Sequence, residues 1–401
     1  MNRNGATDSY QNPGIRGSNQ SGIRAHNERL LLSILRQDGP MAKADIARAT
    51  GLSAQTVSNI MRGLETDGLI AKGEPQRGRV GQPSVPIRLA DDGAFFWGMK
   101  IGRRSAELVL ANFLGQVLAS AHQTYRYPTP EDTIRFARES VTRISSGLSS
   151  VQRDRIAGFG IAMPYQIWRW AREIDVAPET MSAWKTFDVA AALQDVCDCP
   201  VFLENDASSA CGAQLVFGDG SLPPDFLYFY VGYFIGGGVV LDNRLYTGPT
   251  GNAGAIGPLP VIGPDGRLTQ LLEVASLSRL ERDVLAADGD IDRLWNSPHD
   301  WNVPSDILTG WTETTAAALA QAIIAALSVI DFEAIVIDGW MPASVRSDLV
   351  QAIRSQMSRV NMTGLNAPDV VEGTIGPDAR ALGAASLPLS HRFLLDRRLS
   401  A

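Results

Sequence analysis

The sequence predicts a winged helix-turn-helix over residues 23–90, followed by an α/β body of two lobes over residues 91–401. Three observations predict it. Residues 26–66 carry helical apolar spacing broken by a short glycine-bearing turn. Charge is unevenly divided: residues 1–90 hold twelve Lys or Arg against seven Asp or Glu, although the whole chain has a net charge of -7, so a basic end precedes an acidic body. Beyond residue 90, strand-like runs alternate with helical ones in two clusters, before and after about residue 206. At 401 residues the chain exceeds one ordinary core, and 45% hydrophobic with 20% charged residues is the composition of a globular protein, neither disordered nor membrane-embedded.

Taken in order, residues 1–22 are rich in Asn, Gly and Ser and lack an apolar stretch. They read as a flexible tail rather than a signal peptide, which places the chain in the cytoplasm. HNERLLLSILRQDG from His26 places Leu30, Leu31, Ile34 and Leu35 on one helical face, closed by Gly39 and Pro40. MAKADIARATGLS makes a second, short helix with Ile46 and Ala47 inward and Gly51 at its end. Ser53 then caps AQTVSNIMRGLETDGLI, in which Val57, Ile60, Met61 and Leu64 form an apolar stripe. The opposite face carries Gln55, Ser58, Asn59 and Arg62, side chains able to bond adenine or guanine edges in a major groove. GLIAKG and VPIRLA read as the strands of a wing whose tip bears Arg77 and Arg79, suited to the negative potential of a narrow minor groove. A helical bundle docked on the body would lack this combination of turn glycine, acid-free face and basic wing.

In the body, FFWGMKIGRRSAELVLANFLGQVLA predicts hairpin-linked strands, DTIRFARESVTRISSGL a helix, and RIAGFGIAMP and PVFLEND buried strands. VGYFIGGGVV, residues 231–240, raises two readings: a backbone cradle for a phosphate, or a tight turn between FLYFYV and VVLDNRLY. The turn is the simpler one. AAALAQAIIAALSVI is too short to span a bilayer and reads as a buried helix, in the core or at an oligomer contact. Cys197, Cys199 and Cys211 read as reduced structural thiols. His122, His299 and His391 have no metal or triad spacing and read as surface or packing residues, and Trp168, Trp170 and Trp184 as core more than sugar-stacking rings.

From about residue 25 to 390 the chain resembles the ROK family of repressors, open reading frames and sugar kinases. The motifs are the helix-turn-helix with its GRVGQPS wing, VFLENDASSACGAQLVFG, VGYFIGGGVVLDNRLYTGPTGNAGAIG, FEAIVIDGWMPASVRSDLVQAIR and GPDARALGAA. The resemblance implies an actin/hexokinase-like (ribonuclease H-like) body, with lobes of about 91–205 plus a C-terminal helix and about 206–377, and a sugar pocket between them. It puts the kinases' catalytic aspartate at Asp206, beside Asn205. It also exposes departures. Lys100 stands where the kinases have an aspartate that organises magnesium and phosphate; Gly232, Tyr233 and Phe234 replace a GTG step; and Asp338, Gly339 and Trp340 replace a GGG-like turn. Phosphoryl transfer depends on metal ions bridging phosphate oxygens, so a working kinase is not expected. The GExGH step reads Ala255, Ile256, Gly257 and Pro258, and VIGPDGRLTQLLE stands in place of the zinc cysteines, so no metal is expected.

The residues expected to contact an effector are Asn205, Asp206 and Glu273, with Glu179 at the place of the family's PNL-like asparagine. Asp206 would orient a sugar hydroxyl; the alternative is that the Asn205–Asp206 pair only caps a helix. Lys100, Arg103 and Arg104 would favour an anionic sugar derivative. The resulting expectation is a sugar-responsive DNA-binding repressor of carbohydrate genes. It needs no cofactor, acts as a homodimer or homotetramer on a palindromic duplex operator, and makes no membrane contact. The rivals are an active sugar kinase with an appended DNA-binding domain, and a regulator whose pocket has decayed.

Overall fold

The computed structural model describes residues 20–74, 85–171, 174 and 176–395. The first unit comprises α1 (Gln20–Asp38), α2 (Lys43–Thr50), α3 (Ala54–Thr66) and the antiparallel strands β1 (Ile70–Lys72) and β2 (Ile87–Leu89). Gly51 closes α2 in the left-handed region at φ 69°, and the Ser53 hydroxyl accepts the Thr56 N–H at 3.1 Å to start α3. Val57, Ile60, Met61 and Leu64 are buried with Ile46. On α1 the buried residues are Leu31, Leu32 and Leu35, whereas Leu30 and Ile34 are only half-buried. The buried stripe is shifted from the predicted one because α1 is covered by the body as well as by α2 and α3. The helix also starts at Gln20, within the segment read as tail.

The body holds two five-stranded sheets of the same topology. In the first, β3 (Phe95–Ile101), β4 (Ser105–Asn112) and β5 (Val117–Thr124) are antiparallel; β6 (Ile156–Met163) and β7 (Val201–Asn205) add in parallel, giving the order β5-β4-β3-β6-β7. Between them run α4 (Pro130–Ser146), α5 (Ser150–Asp154), two 3-10 turns (Ile167–Trp170 and Pro178–Lys185) and α6 (Val189–Gln194). α7 (Asp206–Phe217) leads to the second sheet: β8 (Phe226–Val231), β9 (Gly236–Leu241) and β10 (Arg244–Tyr246) are antiparallel. The hairpin β11 (Pro260–Ile262) and β12 (Leu268–Gln270), then α8 (Leu271–Ala275), α9 (Leu277–Ala286), α10 (Asp292–Asn296) and α11 (Ser305–Leu327), precede β13 (Ala334–Gly339), α12 (Ala343–Met357) and β14 (Asp369–Glu372). The order is β10-β9-β8-β13-β14, with β8, β13 and β14 parallel. α13 (Ala379–Phe393) then returns to lie on the first sheet and against α7.

The predicted α11 is a core helix: Trp311, Ala316, Leu319 and Ile323 are buried under the second sheet. No helix among the described residues is long and apolar enough to cross a membrane. The glycine run corrects the sequence reading. The chain reverses over residues 232–235, and Gly236, Gly237 and Gly238 are the first residues of strand β9. Close packing requires them: α7 lies over Gly236 and Gly238, where a Cβ would sit 2.7 Å from the Ala207 Cβ or overlap the Cys211 Cβ, and a Cβ at Gly237 would overlap the Tyr228 carbonyl oxygen and crowd the Ile256 side chain. The tight hairpin lies further on, at Asp242 and Asn243, with φ of 54° and 56°.

Candidate nucleic-acid interface and interlobe cleft

Helix α3 turns Gln55, Asn59 and Arg62 to solvent and leaves Ser58 half-buried, as its apolar stripe dictates. The Gln55 side-chain amide donates to the Asn59 Oδ1 at 3.3 Å, so the two polar groups form one row of donors and acceptors. Glu65, the one acidic residue of α3, is paired with Lys72 of β1 at 3.0 Å. The row is therefore free of uncompensated negative charge, and its side chains have the groups that read base edges. Arg77 and Arg79 lie outside the described residues.

In the body, β7 delivers Asn205 and Asp206 to the start of α7. Asn205 is the cap: its Oδ1 accepts from the N–H groups of Ala207 at 3.0 Å and Ser208 at 3.2 Å. Asp206 is thereby left for another partner. Its side chain, 12% exposed, places the carboxylate 3.6 Å from Nη1 of Arg380 in the first turn of α13. The Arg380 guanidinium is itself buried and stands over the Tyr230 ring at 4.8 Å.

Lys100 and Glu107, directly opposite each other across β3 and β4, form a buried ion pair at 2.9 Å, and Lys100 also donates to the Ser105 hydroxyl at 2.6 Å. Burial opposes ionisation of Glu107, but Lys100, the hydrogen bond from His122 and the charge of Arg380 outweigh it and hold the carboxyl well below its usual range. His122 stacks on Trp340 at 5.9 Å, and Trp340 is fixed by donating its Nε1–H to the Leu294 carbonyl at 2.9 Å. Two residues earlier, near the end of β13, Asp338 is fully buried. It accepts from the Tyr228 hydroxyl and the Gly339 and Gly376 N–H groups, while burial raises its pKa above the usual carboxylate value.

Across the lobe boundary, Arg104 pairs with Glu281 of α9 at 2.8 Å, and Glu281 also accepts from the Trp295 Nε1–H. Arg103 sits between the Trp170 and Phe234 rings, at 4.3 and 4.8 Å. The charges of Lys100 and Arg104, expected to face an anionic ligand, are instead directed to internal carboxylates. Of the residues predicted to contact an effector, the structure groups Asn205 and Asp206 alone. Glu273 is exposed on α8 and paired with Arg282 at 3.7 Å, and Glu179 is exposed in its 3-10 turn; no hydrogen bond or ion pair joins either to Asp206. Sequence reasoning missed Arg380 and Glu107. A single arginine in the small-residue run GPDARALGAA was the available signal for the first; the hairpin register opposite Lys100 was the signal for the second.

Two family patterns match the chain: the MarR family over residues 26–79 and the ROK family over residues 96–270. The chain is 23% identical over 397 residues to the xylose repressor of Bacillus spizizenii, covering 93% of this chain and 97% of the repressor. Among solved structures, a ROK family transcriptional regulator, a homolog of the Escherichia coli MLC protein, superposes with a TM-score of 0.63 at 19% identity over 94% of this chain and all of that one. A ROK family glucokinase from Streptomyces griseus superposes at 0.57 with 20% identity over 73% of this chain and 99% of the kinase. At such identities the two superpositions speak to the fold: a MarR-type winged helix ahead of a two-lobed, hexokinase-like body.

Proposed function

From a chain that carries a ROK family domain behind a MarR-type winged helix, we propose a ligand-responsive transcriptional regulator, a repressor of carbohydrate-related genes whose body senses a sugar or sugar derivative. The observation that carries this reading is the row Gln55, Asn59 and Arg62, exposed on a helix whose other face is locked into a core shared with the body. A helix so presented fits a major groove, and two copies in a homodimer or homotetramer would read the two halves of a palindromic operator. The near-full-length similarity to a xylose repressor supports the assignment.

Fluorescence anisotropy of the purified protein on duplex DNA from its own upstream region, over a salt series and with neutral and acidic sugars, tests it. Sequence-specific binding weakened or strengthened by one sugar is the expected result. Binding no tighter than to an unrelated duplex would overturn the reading.

The second reading, a sugar kinase, is favoured by one observation: Asp206 is retained at the start of α7, where the resemblance puts the kinases' base, and Asn205 leaves it free of capping duty. Against it, Lys100 is an ion-paired cation at the place of the aspartate that would organise magnesium and phosphate, and Trp340 lies over it at 6.0 Å. ATP consumption dependent on a hexose would establish the kinase; its absence is expected.

A further inference from the structure

The two helices that begin at the cleft both end at the winged helix. α7 starts with Asp206 and finishes with Phe217; α13 carries Arg380 in its first turn and finishes with Phe393. At the far end Arg36 of α1 lies 5.5 Å from the Phe217 ring and 5.4 Å from the Phe113 ring, and Phe393 packs edge-on against Phe113 at 5.1 Å. The Leu395 N–H donates to the Ser33 hydroxyl of α1 at 2.9 Å. Leu31, Leu32 and Leu35 of α1 share one apolar core with Ala213 of α7 and with Leu382, Ala385, Leu389 and Phe393 of α13. The winged helix therefore sits on the ends of this helix pair.

The pair is built to pass a displacement from one end to the other. A Cβ on Gly383 would overlap the Ser209 carbonyl oxygen, so the two backbones touch where the helices cross. Such a contact transmits displacement because close-packed interiors have no slack. The cleft end is held differently. Arg380 is 7% exposed, its link to Asp206 is a 3.6 Å ion pair, and its Nε has no hydrogen-bond partner among the described residues. A guanidinium serving only to fix two helices would be expected to form short, bidentate bonds. This one meets Asp206 at 3.6 Å and is also engaged by Tyr230, so a hydroxyl engaging the Asp206 carboxylate would weaken the Asp206 contact in particular.

We propose that Arg380 is a positioning residue that couples the cleft to the winged helix: by joining the first turns of α7 and α13 it sets how the far ends of both helices seat α1. The proposal deepens the regulator reading and rests on Asp206 as the effector end of the cleft. A ligand hydroxyl that engages the Asp206 carboxylate weakens its pair with Arg380, shifts α13 relative to α7, and changes the presentation of α3.

The test needs no identified effector. Hydrogen exchange by mass spectrometry on the full chain compares wild type with R380M and R380K. In R380M the amides of α1 are expected to exchange about tenfold faster, while those of β13 and α11 stay within about twofold, and R380K lies between. Unchanged α1 protection, or acceleration shared equally by β13 and α11, would overturn the proposal, since a merely structural arginine loosens its own surroundings or the whole fold. Should R380M fail to fold, D206N removes the charge while keeping the shape, and α1 acceleration in it decides the matter in the same way. Wild-type binding to upstream DNA is measured separately; its failure would remove the regulator reading without touching the exchange result.

Discussion

Burying Lys100 against Glu107 takes two charges out of water, and the pair persists because each is the other's main compensation. Glu107→Gln leaves Lys100 buried without its counter-charge and is expected to cost about 3–5 kcal/mol of stability in urea unfolding at neutral pH. The folded-state pKa of Glu107 is depressed, so its contribution is present above the unfolded value of 4.5 and is lost as pH falls towards the folded value. The wild type should accordingly lose more stability than the variant between neutral pH and about pH 3. At the surface, Arg62→Ala touches no core contact and should leave unfolding unchanged. If Arg62 reads a base, anisotropy should show a loss of about 1–3 kcal/mol on the preferred duplex and little on others.

Glycines decide how the elements approach one another. A Cβ at Gly160 of β6 would overlap the Ala384 carbonyl oxygen, so α13 rests directly on the strand. Gly160→Ala must push the helix away and is expected to destabilise by about 1–3 kcal/mol or more. Gly310, in the exposed part of α11, gives the opposite sign because a Cβ added there would meet nothing within 4 Å. Gly310→Ala should stabilise by about 0.5–1 kcal/mol, since only helix propensity changes. Thermal unfolding of the two variants side by side checks the contrast. The same physics made β9 misleading in sequence. A triple glycine there reads as a turn from local preference, and only the packing of α7 on Gly236 and Gly238 and of Ile256 on Gly237 explains why a strand should lack side chains.

Over the whole molecule the lobes are joined by α7 and α13 on one side and by the Arg104–Glu281 pair, with Arg103 between two rings, on the other. Arg104 and Glu281 belong to different lobes, so a double-mutant cycle on Arg104→Ala and Glu281→Ala should show a coupling of about 0.5–3 kcal/mol, whereas additive effects would mean that the lobes are not held together there. The sequence by itself determined the winged helix, its Ser53 cap, its outward row of Gln55, Asn59 and Arg62 and the buried character of α11, because each follows from spacing and propensity within one segment. It also placed Asp206 at the head of α7, through resemblance to a known family. Tertiary structure alone decided that Arg380 meets Asp206, that neither Glu179 nor Glu273 bonds to that pair, and that the winged helix rests on the ends of α7 and α13. Those pairings join residues far apart in the chain, and long-range contacts are fixed by the packing of whole elements, which no local pattern encodes.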